Sequence, residues 1–372
     1  MLAFGLVLGA VAYACAGQPA ATSVDAPRTT QNAPASSGTT HDAPPSSTAV
    51  TVPTSITVLV PTSTTVLDAP RTTQNATHSP PKGWLVIHGT GDVNLDPSYI
   101  PALASRGYDW AWEGLDRLFV ADDLTLVNLE CSPSPLGTAE DKDFTFQCAD
   151  GLSEMAAAGV EVANLGNNHS QDFGKEALLD GIKNLSDVGI APVGAGRDAT
   201  VAAEPAIFEI NGWRVAVVGF GGIRPHDGWI ATEDQAGMAD GDTIESMVAT
   251  VEAAGSLADF VVVTIHWGVE LDTAPRTDDV ERAEAMIAAG ADAIFGHHPH
   301  RLQPMEEVGG RPVFWSLGNF VWPEMSPASA TTGVARVVIS PDGAVTGCLI
   351  PAVIASSGHP VLTDDPPCGG RS

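Results

Sequence analysis

Residues 260–300 read FVVVTIHWGVELDTAPRTDDVERAEAMIAAGADAIFGHHPH, and this stretch decides the fold class. Phe260 to Ile265 is a short apolar run rich in β-branched side chains, which predicts a strand. Val280 to Ala289 follows as a helix, and Ala293 to Phe295 as a second strand. A strand, a helix and a strand in succession make a βαβ unit, the repeating element of sheets covered by helices. Both strands leave on polar residues: His266-Trp267-Gly268 with Glu270 beyond, and Gly296-His297-His298-Pro299-His300.

The same texture extends outward in both directions. Strands are expected at Trp84 to Gly89, at Leu124 to Leu129 and in a segment ending near Leu165. Helices are expected at Trp110 to Val120, Leu152 to Ala158, Lys175 to Val188 and Ile244 to Leu257. Leu178, Leu179, Ile182 and Leu185 recur at helical spacing in the third of these. Ala206 to Ile210 and Arg214 to Gly219 flank Asn211-Gly212, a hairpin signal. The end is β-rich, with Pro312 to Trp315, Gly333 to Ser340, and Ala344 to Ile354 after the Pro341-Asp342-Gly343 turn. Together these predict one mixed α/β domain over residues 83–357 and a short tail over 358–372.

Polar residues stand at the exits of three earlier strands as well. Gly91-Asp92-Val93-Asn94 follows the first, Asn128-Leu129-Glu130 the second, and Gly166-Asn167-Asn168-His169, with Asp172 beyond, the third. Ligands gather at the carboxyl ends of strands in α/β sheets, so these clusters should converge. Singly each has a plainer account: Asp92 as a turn cap, the asparagines as turn residues, His266 as a satisfied core histidine. Five successive exits carrying Asp, Glu, Asn and His form a donor set for divalent transition metals, of which Mn, Zn and Fe suit it best.

The strings GDVNL, NLE, NNHSQDFG, HWGVE, GHHPHRLQP and SLGNFVW, running in that order from Gly91 to Trp322, resemble the motif series of the CapA (poly-γ-glutamate capsule synthesis) family. That family is similar in fold to the calcineurin-like metallophosphoesterases, so the resemblance implies a metallophosphatase-like mixed two-sheet sandwich flanked by helices (αββα). It further implies Asp92, Asn94, Glu130, Asn168, His266, His298 and His300 as metal ligands. Asn94 stands where those enzymes have histidine, and Glu130 where they have a bridging aspartate, which bears on whether one ion or two are held. His169 matches the residue that protonates the leaving group, with Asp172 beyond it either to orient an imidazole or to serve as a solvated loop acid or helix cap. Arg197, Glu270 and Asn319 are the candidates for substrate contact; the alternatives are a surface ion pair for Arg197, a solvated acid for Glu270 and the site floor for Asn319. Hydrolysis at such a centre relies on metal ions to activate water and to stabilise developing charge.

Composition limits the partners. The chain has 372 residues, 44% hydrophobic and 17% charged, with a formal net charge of −28. So acidic a protein is unsuited to nucleic acid, which is bound by clustered Lys and Arg. An anionic ligand would need a metal ion or local cations at the site. Met1 to Ala14 is almost wholly apolar and ends at Cys15, which predicts an export or lipoprotein signal within residues 1–22. Residues 23–82 are rich in Thr, Ser, Pro and Ala and repeat DAPRTTQNA at 25–33 and 68–76, as a disordered spacer would. Cys131, Cys148, Cys348 and Cys368 make an even set in an exported chain, consistent with disulfides; neighbours in sequence form the simplest of three pairings.

Three functions are compatible with these readings. The first is synthesis, export or anchoring of an anionic envelope polymer such as poly-γ-glutamate, alongside membrane synthetase subunits, with membrane contact only through the N-terminal anchor. The second is a metal-dependent phosphoesterase or amide hydrolase of envelope substrates. The third is a non-catalytic polymer-binding scaffold.

Overall fold

A computed structural model of the protein describes residues 80–363. The expected signal at 1–22, Cys15, nearly all of the spacer and Cys368 lie outside the described residues. Among the described residues no helix is long and apolar enough to cross a membrane.

Two sheets face each other. The larger, of eight strands, runs in the order His359–Leu362, Val345–Ser356, Thr331–Ile339, Leu85–Val93, Leu124–Leu129, Val162–Asn164 and Ala191–Val193, with Asn319–Val321 also paired to Leu85–Val93. The second runs Met305–Val308, Arg311–Phe314, Ala293–His297, Phe260–His266, Trp213–Gly221 and Ala206–Ile210. Phe260, Val262, Ala293 and Phe295 from one sheet bury against Leu85, Ile87, Leu124 and Leu126 from the other. The alternate residues Val261, Val263, Ile265 and Ile294 pack on the opposite side against Met247, Val251, Ala283 and Met286 of helices Ile244–Gly255 and Thr277–Ala288. Val127 and Ala163 of the large sheet likewise meet Leu152, Met155, Leu178 and Leu185 of helices Leu152–Ala157 and Gly174–Asp187. Strands covered on both faces need continuous apolar runs rather than alternation, which is what 260–265 supplies. The layers are therefore helix, sheet, sheet, helix, as the resemblance implied.

Local expectations mostly hold. Asn211 and Gly212 take φ of 50° and 81°, the twist-matched two-residue hairpin turn. Cys131 and Cys148 are joined in a disulfide, and Cys348 is disulfide-bonded as well. Two expectations fail. The helix anticipated over 110–120 stops at Glu113, and a single 3-10 turn, Leu118–Val120, follows Asp116 and Arg117 at φ of 48° and 60°. The strand His359–Leu362 takes over the chain here: the Gly114 carbonyl, which a continued helix would use, accepts the Leu362 N–H at 3.2 Å, and a Cβ on Gly114 would lie 2.3 Å from the Pro360 carbonyl oxygen. That same strand corrects the tail expected from 358, because Pro360 and Val361 pair with Ile354 and Val353 and extend the large sheet.

Candidate metal centre

Strand register assembles the site. Asn319, Asp92, Asn128 and Asn164 are successive partners across the large sheet, and Gly221, His266 and His297 are successive partners across the second. Apart from Asn319, which opens its strand, both rows lie at the carboxyl ends of parallel strands, where side chains are free to converge. Past the second row the chain turns sharply, with His298 and His300 at φ of 97° and 52°. Such left-handed conformations cost of order 1–3 kcal/mol each and cluster at functional sites.

At the centre stand two fully buried carboxylates, Asp92 and Glu130. Asp92 Oδ1 accepts from Asn128 Nδ2 at 2.9 Å, and Asp92 Oδ2 lies 3.0 Å from His300 Nδ1. Neither carboxylate oxygen of Glu130 has a hydrogen-bond donor. Glu130 Oε1 is instead ringed by imidazole nitrogens, 3.5 Å from His266 Nε2, 3.8 Å from His300 Nε2 and 3.9 Å from His169 Nε2. Burial first, and then the charge of Asp92, push the Glu130 carboxyl well above its ordinary range. Burial keeps His266 and His298 neutral, the latter at about 3. For His300 burial works downward, but Glu130 and Asp92 together raise it to about 9.

A buried carboxylate without a donor is costly unless something positive meets it. Three overlapping groups have ligand atoms within 4.8 Å of one another: Asp92 with Glu130 and His300; Glu130 with His266 and His298; and Glu270 with His298 and His300. Carboxylate oxygen with neutral imidazole nitrogen is the donor chemistry of divalent transition metals. The residues therefore fit a metal ion.

Asn168 joins this group, its Oδ1 2.7 Å from His266 Nε2. Asp172 Oδ2 holds His169 Nδ1 at 2.7 Å and also accepts the Phe146 N–H at 2.7 Å, so it orients the imidazole and ties a loop to it. Glu270 is exposed and sits at the rim. Asn94 Oδ1 is engaged elsewhere, accepting the Asp96 N–H at 2.8 Å and so turning the chain as it leaves the strand. Two of the expected substrate contacts have partners within the fold. Asn319 is fully buried and bonds His300 Nδ1 through Oδ1 at 2.9 Å, so it positions an imidazole. Arg197 is 71% exposed and lies 3.3 Å from Asp198, the surface ion pair that was its alternative.

Other participants were not anticipated. Lys142 Nζ reaches Asp172 Oδ1 at 2.5 Å and the Asn168 carbonyl at 2.6 Å, from a loop closed by the Cys131–Cys148 disulfide. No motif marks it; only its scarcity as a cation singles it out. Phe146 packs on His169 with ring centroids 4.4 Å apart, and Trp322 stacks on His300 at 4.8 Å, walling the imidazoles from solvent. His297, fully buried, bonds Thr264 Oγ1 and stands 3.8 Å behind Asp92 Oδ1. Asn128, Asn164 and Asn167 form a buried hydrogen-bonded row beneath the centre.

Residues 86–324 match the family model for the bacterial capsule synthesis protein PGA_cap. The chain is 30% identical over 239 residues to the PGA biosynthesis protein CapA of Bacillus subtilis, covering 62% of each chain. It is 38% identical over 174 residues to the capsule biosynthesis protein CapA of Bacillus anthracis, covering 46% of this chain and 42% of that one. The match thus spans less than two-thirds of either relative's length. Among solved structures, a putative 5′-nucleotidase from Staphylococcus aureus superposes with a TM-score of 0.46 at 15% identity, over 77% of this chain and 56% of that one.

Proposed function

The chain belongs to the bacterial capsule synthesis protein family PGA_cap, and on that premise we propose that it serves the synthesis, export or anchoring of an anionic envelope polymer such as poly-γ-glutamate, through a metal-dependent hydrolase-type site. The observation that carries the site is Glu130, buried with both oxygens lacking donors and faced by three imidazoles. Asp92, Glu130, His300, His266, His298 and Asn168 would hold one or two divalent ions, with Mn, Zn or Fe the best match to mixed oxygen and imidazole donors. Such an ion, when bound, polarises the attacked group and activates water.

The chain's own residues account for proton handling and orientation. Asp172 takes the Nδ1–H of His169, which leaves Nε2 facing Glu130 and able to carry a proton to or from a leaving group. Burial, with Lys142 offsetting the charge of Asp172, keeps the imidazole from being locked in its protonated form. Phe146 and Trp322 exclude water from the histidines. This arrangement favours a hydrolase over a bare scaffold, and the bond attacked would be a γ-linked amide of the polymer or a phosphoester of an envelope substrate. Delivery by an N-terminal signal, with retention through Cys15, would place the domain outside the membrane beside synthetase subunits.

The deciding experiment is elemental analysis of the whole chain together with release of glutamate from poly-γ-glutamate and hydrolysis of a generic phosphoester, each with added Mn²⁺. Bound metal with turnover lost in His169→Ala supports the hydrolase reading. Bound metal without turnover on either substrate would leave a polymer-binding role, and a metal-free protein would remove the basis for the site.

A further inference from the structure

We propose that Asn128 makes the two halves of this centre unequal: one divalent ion loads beside Asp92, Glu130 and His300, and the half built by Asn168, His266 and His298 takes a second ion only at much higher concentration. The inference rests on the metal reading above and adds which nitrogen atoms are free to receive an ion.

Two backbone N–H groups set the direction of every hydrogen bond in the buried asparagine row. Gly166 N–H donates to Asn164 Oδ1 at 3.0 Å, and His169 N–H donates to Asn167 Oδ1 at 3.0 Å. A backbone N–H can only donate, so both amide oxygens accept and both Nδ2 groups must donate elsewhere. They converge on Asn128 Oδ1, at 3.1 Å from Asn164 and 3.2 Å from Asn167. Asn128 Nδ2 is thereby turned toward Asp92 Oδ1 at 2.9 Å and His266 Nδ1 at 3.2 Å. The opposite orientation would set an amide oxygen against a carboxylate and NH₂ against NH₂. All three asparagines are fully buried, so water does not relieve such a clash.

With an N–H aimed at it, His266 Nδ1 must be bare. A neutral imidazole carries one proton, which then sits on Nε2, 2.7 Å from Asn168 Oδ1. Nε2 is also the atom that faces Glu130. To receive an ion there, the proton would have to move to Nδ1 and oppose the Asn128 N–H. Losing that buried hydrogen bond weakens the second ion by roughly 10- to 100-fold.

His300 is supported in the opposite sense. Asn319 Nδ2 donates to the Ser329 carbonyl at 3.0 Å, which fixes Asn319 Oδ1 as an acceptor for the Nδ1–H of His300 at 2.9 Å. Its Nε2, 3.8 Å from Glu130 Oε1, can be vacated for an ion while the Asn319 hydrogen bond stays intact. A partner that accepts from the far nitrogen is the usual support of a metal-binding imidazole. Asn319 provides it, and Asn128 withholds it.

The test uses the whole chain labelled with ¹⁵N-histidine and stripped of metal by chelator. Nitrogen NMR, with His266→Gln to assign the signal, should find His266 protonated on Nε2; protonation on Nδ1 overturns the proposal. Calorimetric titration with Zn²⁺ should then give one ion per chain and a second at least about tenfold weaker, which His266→Ala alone abolishes. Two ions of equal affinity overturn it. Asn128→Asp, whose carboxylate can accept from His266 Nδ1–H, should bring the two affinities together, and an unchanged ratio counts against the proposal. Binding of no ion overturns the metal reading and this inference with it. Should Asn128→Asp fail to fold, the tautomer of the native protein decides.

Discussion

Glu130→Gln should make the metal-free protein more stable while destroying its response to metal. In the native chain both Glu130 oxygens are buried without donors, at 0% exposure. An unsatisfied buried acceptor costs about 1–3 kcal/mol, more when charged. Glutamine is nearly isosteric, carries no charge, and its NH₂ can donate to Asp92 or to the unpartnered His298 Nδ1. The sign with pH follows from the cause. Burial and Asp92 raise Glu130 well above its reference of 4.5, so its contribution is fully present below that reference and is lost as pH rises through the folded-state pKa. The gain from Glu130→Gln should therefore be larger at pH 8 than at pH 5. A gain of about 1–3 kcal/mol in a domain of this size is a rise in Tm of roughly 2–10 °C. Mn²⁺ at a thousand times Kd should reverse the ranking, since it stabilises the native chain by about 4.1 kcal/mol and leaves the variant unmoved. The assay is thermal unfolding of both proteins in chelator and in Mn²⁺, at the two pH values. A variant less stable than the native chain in chelator, or equally stabilised by Mn²⁺, would refute the view of Glu130 as a carboxylate held for a cation.

Glu161 directly precedes strand Val162–Asn164, at the end opposite the centre, and burial raises it to about 8. Its stabilising contribution is complete below the reference of 4.5 and falls away as pH climbs through 8, so Glu161→Gln should flatten the loss of stability on the alkaline side in urea melts at pH 6 and pH 9. Burial lowers His169, Asp172 raises it and Lys142 lowers it further; with Lys142→Met, histidine NMR titration should find His169 moved upward, and a downward move would show that Asp172 is not its controlling neighbour. Reduction of Cys131–Cys148, with 17 residues of separation, should cost about 3 kcal/mol. Both are fully buried, so thiol labelling in denaturant without reductant is the test: neither should be modified, and modification of either would disprove the bond.

Layer order and strand exits were legible in the chain alone. Runs such as 260–265 are apolar but for Thr264 because the strand packs on both faces, and that requirement is local enough to leave a pattern in the residues themselves. The motif strings likewise placed Asp92, Glu130, Asn168, His266, His298 and His300 at the ends of adjacent strands, since parallel sheets deliver those ends to one edge. What each side chain does there was not legible. Asn128, near the end of its strand, and Asn319, at the start of its own, are the same residue type, yet one donates to an imidazole and the other accepts, because different backbone groups fix their amides. Lys142 reaches Asp172 across a loop whose course is set by a disulfide and by the Phe146 N–H. The helix expected over 110–120 gave way to a strand arriving from residue 359 onward. Periodicity records which face of an element is buried. Hydrogen-bond direction and close passage depend on atoms brought in from distant parts of the chain, so they are settled only once the chain has folded.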